Sequence, residues 1–91
     1  MSPQAVADPE HLERFARDLG AFTSRLKDDL SRLQGGFASL GGTWRDQEHQ
    51  KFAREFEQTA RVLRQFIQSA DEQIPFLLRK AQRIHEYLDQ R

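Results

Sequence analysis

The residues that could do chemistry in this chain are few and widely spaced. The three histidines, His11, His49 and His85, are far apart in sequence, and there is no cysteine. His85 and Asp89 are one helical turn apart, a spacing found in zinc sites, but no third ligand is evident nearby. An exposed helical turn in which His85 pairs with Asp89 explains this spacing better. We therefore expect no metal, no cofactor and no catalytic residue.

The glycine and arginine patterns also argue against nucleotide and nucleic-acid sites. The five glycines form neither a GxGxxG order nor a phosphate loop with its lysine. The 14 basic residues are balanced by 14 acidic ones, and acids are interleaved with the arginines of the second half. Solvated helix faces explain such interleaving better than a basic patch does. We expect neither an enzyme nor a nucleic-acid-binding protein.

The sequence predicts two long helices, and these helices must position any functional side chains of the protein. Asp8 and Pro9 are a helix start signal, and apolar residues then recur at steps of three and four, which predicts a helix over 9–40. These apolar residues are Leu12, Phe15, Leu19, Phe22, Leu26, Leu30, Leu33, Phe37 and Leu40. The two successive steps of four on either side of Leu26 resemble a stutter in a heptad pattern. Residues 1–7 are expected to form a flexible arm.

A glycine turn and a second helix complete the predicted hairpin. Gly41 and Gly42 turn the chain within 41–43, Thr43 caps a helix over 44–89, and Asp46 follows three residues later as in a capping box. The apolar surface of this second helix is widened by adjacent pairs, such as Phe66 with Ile67. A helix with a single partner needs a narrower surface, so we expect self-association or a partner helix.

Pro75 interrupts the second predicted helix. A proline there removes one backbone hydrogen bond, and we expect a kink because the apolar period keeps its phase up to Leu88. A third helix beginning after a short turn near Pro75 is the alternative.

The predicted fold is therefore all-α: a single-domain hairpin of two long antiparallel helices that associates with a copy of itself or with a partner helix. The residues expected in its core or dimer interface are Phe15, Leu19, Phe22, Leu26, Phe52, Phe56, Leu63, Phe66, Ile67, Ile74 and Leu77. No apolar run approaches the roughly 20 residues that span a bilayer, so no membrane span is expected. Met1 to Ala7 lack a basic and an apolar region, and we expect no cleavable signal peptide.

Trp44, the only tryptophan, lies at the predicted turn, where its indole can pack across the two helices. A helical hairpin of about this length with a tryptophan at the turn resembles the WXG family, the ESAT-6-like small proteins of bacterial type VII (ESX) secretion systems. The resemblance rests on Gly42, Thr43, Trp44 and Asp46 at the turn and on Phe52 eight residues after the tryptophan. Asp46 stands where the family motif has its glycine.

The resemblance implies an antiparallel homodimer, or a heterodimer with a homologous hairpin protein, that forms a four-helix bundle and is exported by the type VII machinery or assists export. It implies a bacterial cytoplasmic protein that is secreted without a cleavable signal peptide. The family's C-terminal export signal pairs a tyrosine with an acid four residues later, but here Arg91 stands four residues after Tyr87. His85 and Asp89 keep a related four-residue spacing. The candidate export signal therefore comprises His85, Tyr87 and Asp89. A cytosolic helical adaptor or small chaperone that binds a larger protein is the alternative function.

Overall fold

The computed structural model describes residues 7–89, which form two long antiparallel helices. Helix α1 spans Pro9–Leu40 and helix α2 spans Gln47–Asp89. At 1.5 Å per residue, the 43 residues of α2 extend over about 64 Å, close to the 68 Å length of the hairpin. The other two dimensions are 20 and 14 Å, so each helix has one neighbour within the chain. Apart from Ala7, the predicted arm lies outside the described residues.

Both helices begin at an aspartate cap. Asp8 accepts a hydrogen bond from the Glu10 backbone N–H at 2.9 Å, and Pro9 occupies the first turn of α1, where its missing N–H has no intrahelical partner to lose. Asp46 accepts one from the His49 N–H at 2.9 Å, and its carbonyl accepts the first intrahelical bond of α2 from Gln50 at 3.3 Å.

The cap at Asp46 corrects two details of the predicted turn. α2 begins at Gln47 rather than at Trp44, because Asp46 supplies the side-chain acceptor for the free N–H groups of the first turn. The hydroxyl of Thr43 donates instead to the Leu40 carbonyl at 3.4 Å, so Thr43 closes the end of α1 and does not cap α2. The backbone N–H of Trp44 also donates to Leu40, at 2.8 Å.

The contact line between the helices, which we call the seam, includes small residues of α1 that a purely apolar pattern passes over. Ala16 and Thr23 are buried in it, at 1% and 2% exposure. The neighbouring Phe15 and Phe22 are exposed instead. These two aromatic residues of α1 therefore lie beside the seam and not in it.

The regular alternation of three- and four-residue steps along the α1 seam is interrupted further along the chain than the sequence pattern predicts. With the small residues included, steps of three and four alternate from Pro9 to Leu30. The next seam residue is the half-buried Gln34, four residues further on, whereas Leu33 is 61% exposed. The stutter expected at Leu26 is therefore wrong in position, and the two successive steps of four meet at Leu30.

The seam of α2 alternates strictly between steps of three and four and is rich in small residues. It is formed by Ala53, Phe56, Ala60, Leu63, Ile67, Ala70, Ile74, Leu77, Ala81 and Ile84, all of which are buried or half-buried. Small residues let the two backbones approach closely. A Cβ atom added at Gly20 would lie 3.5 Å from the Ile74 Cδ1 atom, in ordinary van der Waals contact.

Pro75 lies within α2 and does not end it. α2 is continuous from Gln47 to Asp89, so the alternative of a third helix after Pro75 is wrong. Pro75 is exposed, next to the seam residue Ile74. Pro75 has no N–H to donate to the Asp71 carbonyl, and the kink expected there stays a prediction.

Candidate interaction surface

Two lateral sides flank the seam, and one of them is polar. On this polar side, charged or amide groups of α1 meet partners on α2. The cross-helix pairs are Glu13 with His85 at 3.2 Å, Lys27 with Asp71 at 3.8 Å, and Gln34 with Arg64 through a side-chain hydrogen bond. The buried hydroxyl of Thr23 also lies 3.0 Å from the Asp71 carboxylate. The polar groups of this side therefore find partners within the hairpin.

The opposite side carries several large apolar residues that remain exposed to solvent. Phe22 of α1 meets Phe66 of α2 edge to face, with ring centroids 6.2 Å apart, and both rings remain about half exposed. Other large apolar residues left exposed here and along the adjoining surface of α2 include Phe15, Leu33, Leu40, Phe52, Val62 and Phe76, at 43–61% exposure. These exposed apolar groups make this side a candidate interaction surface.

An aromatic cluster lies at the turn end of the hairpin, built around Trp44. The indole meets the His49 ring at 4.9 Å and the Phe52 ring at 6.0 Å. Phe37, the aromatic residue of α1 in this cluster, stacks on His49 at 5.1 Å and lies 5.3 Å from Phe56. Aromatic pairs at these separations add stabilisation beyond the area that they bury. Through His49 and Phe52, Trp44 therefore joins a cluster to which both helices contribute.

His49 is the member of this cluster that the predicted apolar pattern of α2 does not include. Its Nε2 atom is buried and has no hydrogen-bond partner among the described residues. It precedes Phe56 by one heptad, so extending the α2 seam backwards would have identified it. Of the four turn residues predicted, Trp44 enters the cluster and Asp46 caps α2, while Gly42 and Thr43 lie exposed just before them.

The residues predicted for the core or interface divide into two groups. Ile67 is buried in the seam, and six others are half-buried along it: Leu19, Leu26, Phe56, Leu63, Ile74 and Leu77. Phe15, Phe22, Phe52 and Phe66 are exposed. The prediction that these four residues contact a second molecule stays a prediction.

The candidate export signal lies on the last two turns of α2. His85 does not pair with Asp89; its Nε2 atom lies 3.2 Å from Glu13 of α1, and both side chains are about one-third exposed. Tyr87 is 64% exposed, and Asp89 is exposed as well. Within residues 7–89, no three His, Asp or Glu side chains gather as metal ligands would. Neither described helix has a stretch apolar and long enough to cross a membrane.

Comparison with known proteins agrees with this architecture. The model of the WXG100 family, described as proteins of 100 residues with WXG, matches residues 5–88. The crystal structure of the secreted protein EsxB from Bacillus anthracis strain Sterne, in selenomethionine form, is 28% identical, with a TM-score of 0.78 over 96% of this chain and 98% of that one. A glycine-to-alanine mutant of EsxB is 27% identical, with the same TM-score over 93% and 98% of the two chains.

No curated protein matches the sequence. The family match covers both helices and the tryptophan turn, and the EsxB structures reproduce the long hairpin over nearly all of its length. The chain therefore belongs to the WXG100 family of ESAT-6-like helical-hairpin proteins.

Proposed function

We propose that this protein works as one half of a pair of hairpins and is exported by, or assists export through, a type VII secretion system. The observation that carries the pairing is the open apolar side, on which Phe22 and Phe66 remain about half exposed although they touch each other. A lone hairpin leaves this surface in water, and a second hairpin would cover it in a four-helix bundle.

The export part of the proposal is supported by the family and by the structural relatives. EsxB of Bacillus anthracis, whose structure matches over 98% of its own chain, is a secreted protein. The exposed Tyr87 and Asp89 on the last turns of α2 are accessible to a receptor without any unfolding of the hairpin. The proposal involves no catalytic step.

Export is tested by following the tagged protein in the culture medium of a host with a type VII system and of the same host lacking the secretion ATPase. We expect the protein in the medium of the parent strain alone, with a cytosolic marker retained in both. Equal amounts in the two media would refute type VII export. Retention in both cells would favour a cytosolic adaptor.

The candidate signal is tested within the same assay. Tyr87→Ala should lower the extracellular amount, while Glu86→Ala, a change at the preceding exposed residue, serves as the matched control. Equal export of the two variants would show that Tyr87 is not part of the export signal. Far-UV circular dichroism checks that both variants keep their helix content.

A further inference from the structure

The last turn of α2 is weakly held by its own residues. Residues 86–89 are all exposed, and this turn contains the acids Glu86 and Asp89 and no basic residue. Negative charge at the C-terminal end of a helix is unfavourable, because the free carbonyl groups there carry the negative end of the helix dipole. Gln82 donates to the Glu86 carboxylate at 3.2 Å, but both residues belong to α2 and do not attach it to α1. The last turn therefore depends on the contacts with α1 that come just before it.

The last anchored residues of α2 are Ile84 and His85. Ile84 is buried at 8% exposure, and His85 is the last described residue of α2 that is not exposed. The His85 Nε2 atom lies 3.2 Å from a carboxylate oxygen of Glu13 on α1. Because an ionised carboxylate only accepts hydrogen bonds, the imidazole must carry a hydrogen on Nε2 and donate it to Glu13.

The Glu13–His85 pair stands apart from the other polar contacts between the helices. The next charged pair on the same side, Lys27 with Asp71, lies about 21 Å away along α2. Within residues 7–89, no basic side chain other than His85 lies within 4.0 Å of Glu13, although Arg17 is one helical turn further along α1. The Glu13 side chain therefore crosses to α2 and does not pair along its own helix.

His85 and Tyr87, both in the candidate export signal, lie on different faces of α2. At 3.6 residues per turn, Tyr87 is rotated by about 200° from His85 around the helix axis. Tyr87 is 64% exposed, whereas His85 faces α1. A receptor that covers Tyr87 therefore approaches the face of α2 that is turned away from Glu13.

We propose that Glu13 is a positioning residue for the export signal: by holding His85, it keeps the last turn of α2 helical and so fixes the place of Tyr87 for a receptor. This inference rests on the proposed function and deepens it, because it divides the candidate signal into a recognised residue and a held one. Tyr87 is recognised, and His85 is held by a residue 72 positions earlier in the chain. The signal then has a determinant on α1 that no C-terminal motif contains.

Amide hydrogen exchange of residues 86–89 in the purified protein tests the contact. Exchange at a helix end reports local opening, so breaking the pair should speed it. Glu13→Ala and His85→Ala should each raise the exchange rate by about two- to fivefold, the range expected for a partly exposed charge pair. The double variant should go no further than either single one, because both remove the same contact.

Asp18→Ala is the matched control for Glu13→Ala. Asp18 is an exposed acid of α1, and it has no oppositely charged side chain within 4.0 Å in the described part of the chain. Its removal should leave the exchange of residues 86–89 unchanged. Unchanged exchange in Glu13→Ala, or equal acceleration in Asp18→Ala, would overturn the contact.

Export of the same variants into the culture medium tests the positioning role. Glu13→Ala should lower the extracellular amount in parallel with its faster exchange, and Asp18→Ala should be exported normally. His85→Lys keeps a donor and a positive charge opposite Glu13, so it should be exported like the unmodified protein. Combined with Glu13→Ala, His85→Lys should lose both the slow exchange and the export. Lost export in His85→Lys with slow exchange retained would show that the receptor reads the imidazole, and it would overturn the inference.

The failure of this inference can be distinguished from that of the proposed function. Normal export of Glu13→Ala, despite faster exchange of residues 86–89, would overturn the positioning role and leave type VII export intact. Equal amounts of the unmodified protein in the media of the parent strain and of the strain lacking the ATPase would overturn type VII export. The exchange rates would still decide whether Glu13 holds the end of α2.

Discussion

Two neighbouring residues of α1, Phe15 and Ala16, give the sharpest test of how the hairpin is held together. Phe15 is 57% exposed and Ala16 is 1% exposed, so the smaller residue lies in the seam and the larger one beside it. We compare Phe15→Ala, which removes a large apolar group, with Ala16→Leu, which adds one. Judged by hydrophobicity alone, the first change should destabilise the protein and the second should not.

The structure predicts the reverse order. Less than half of Phe15 is buried, so truncation should lower the free energy of unfolding by about 1 kcal/mol. A fully buried phenylalanine would lose about 3–5 kcal/mol on the same change. Leucine at position 16 must fit where α1 and α2 are already in contact, and such overpacking costs about 1–3 kcal/mol.

Urea unfolding followed by far-UV circular dichroism measures both free energies. The protein should be dilute enough to be monomeric in sedimentation, so that contacts between copies do not contribute. A loss of about 3 kcal/mol or more for Phe15→Ala, with no loss for Ala16→Leu, would refute the seam described above. The opposite result would support it.

Four further changes test the turn and α2 by the same unfolding measurement. Asp46→Ala should cost about 1 kcal/mol, whereas Thr43→Ala should change stability by less than about 0.5 kcal/mol; equal effects would contradict the cap. Trp44→Ala should cost about 2 kcal/mol, because the half-buried indole touches two rings of α2, and no loss would mean that those contacts do not hold the turn. Pro75→Ala should raise stability, by up to about 3 kcal/mol, since it restores a helix N–H; reduced stability would show that α2 needs the proline for its packing.

The burial of Ala16 beside an exposed Phe15 shows why the packing between the two helices could not be predicted from the sequence alone. A sequence pattern ranks residues by hydrophobicity, so Phe15 and Phe22 appear to belong to the seam. A seam between two helices must instead advance seven residues every two turns, and Ala16 and Thr23 keep that period with Leu30. Thr23 is tolerated there because its hydroxyl lies within hydrogen-bond distance of the Gly20 carbonyl and the Asp71 carboxylate.

The turn illustrates the same limit on a smaller scale. Thr43 and Asp46 are both good helix caps by residue type, and the sequence does not show which of them has free N–H groups within reach. The backbone decides it: α1 continues as turns up to Trp44, and the first free N–H groups of α2 lie beyond Asp46. The packing of Trp44 against His49 likewise depends on the helix start at Gln47.

The sequence by itself determined the all-α class, the two long helices, the reversal at Gly41 and Gly42, and the family, because helix period and turn residues are local properties. Only the tertiary structure decided that one side of the hairpin is polar and the other apolar. Whether a residue beside the seam faces Lys27 and Asp71 or faces Phe22 and Phe66 depends on how α1 and α2 are rotated against each other. That rotation is set by the close packing of small seam residues, which no single helix specifies.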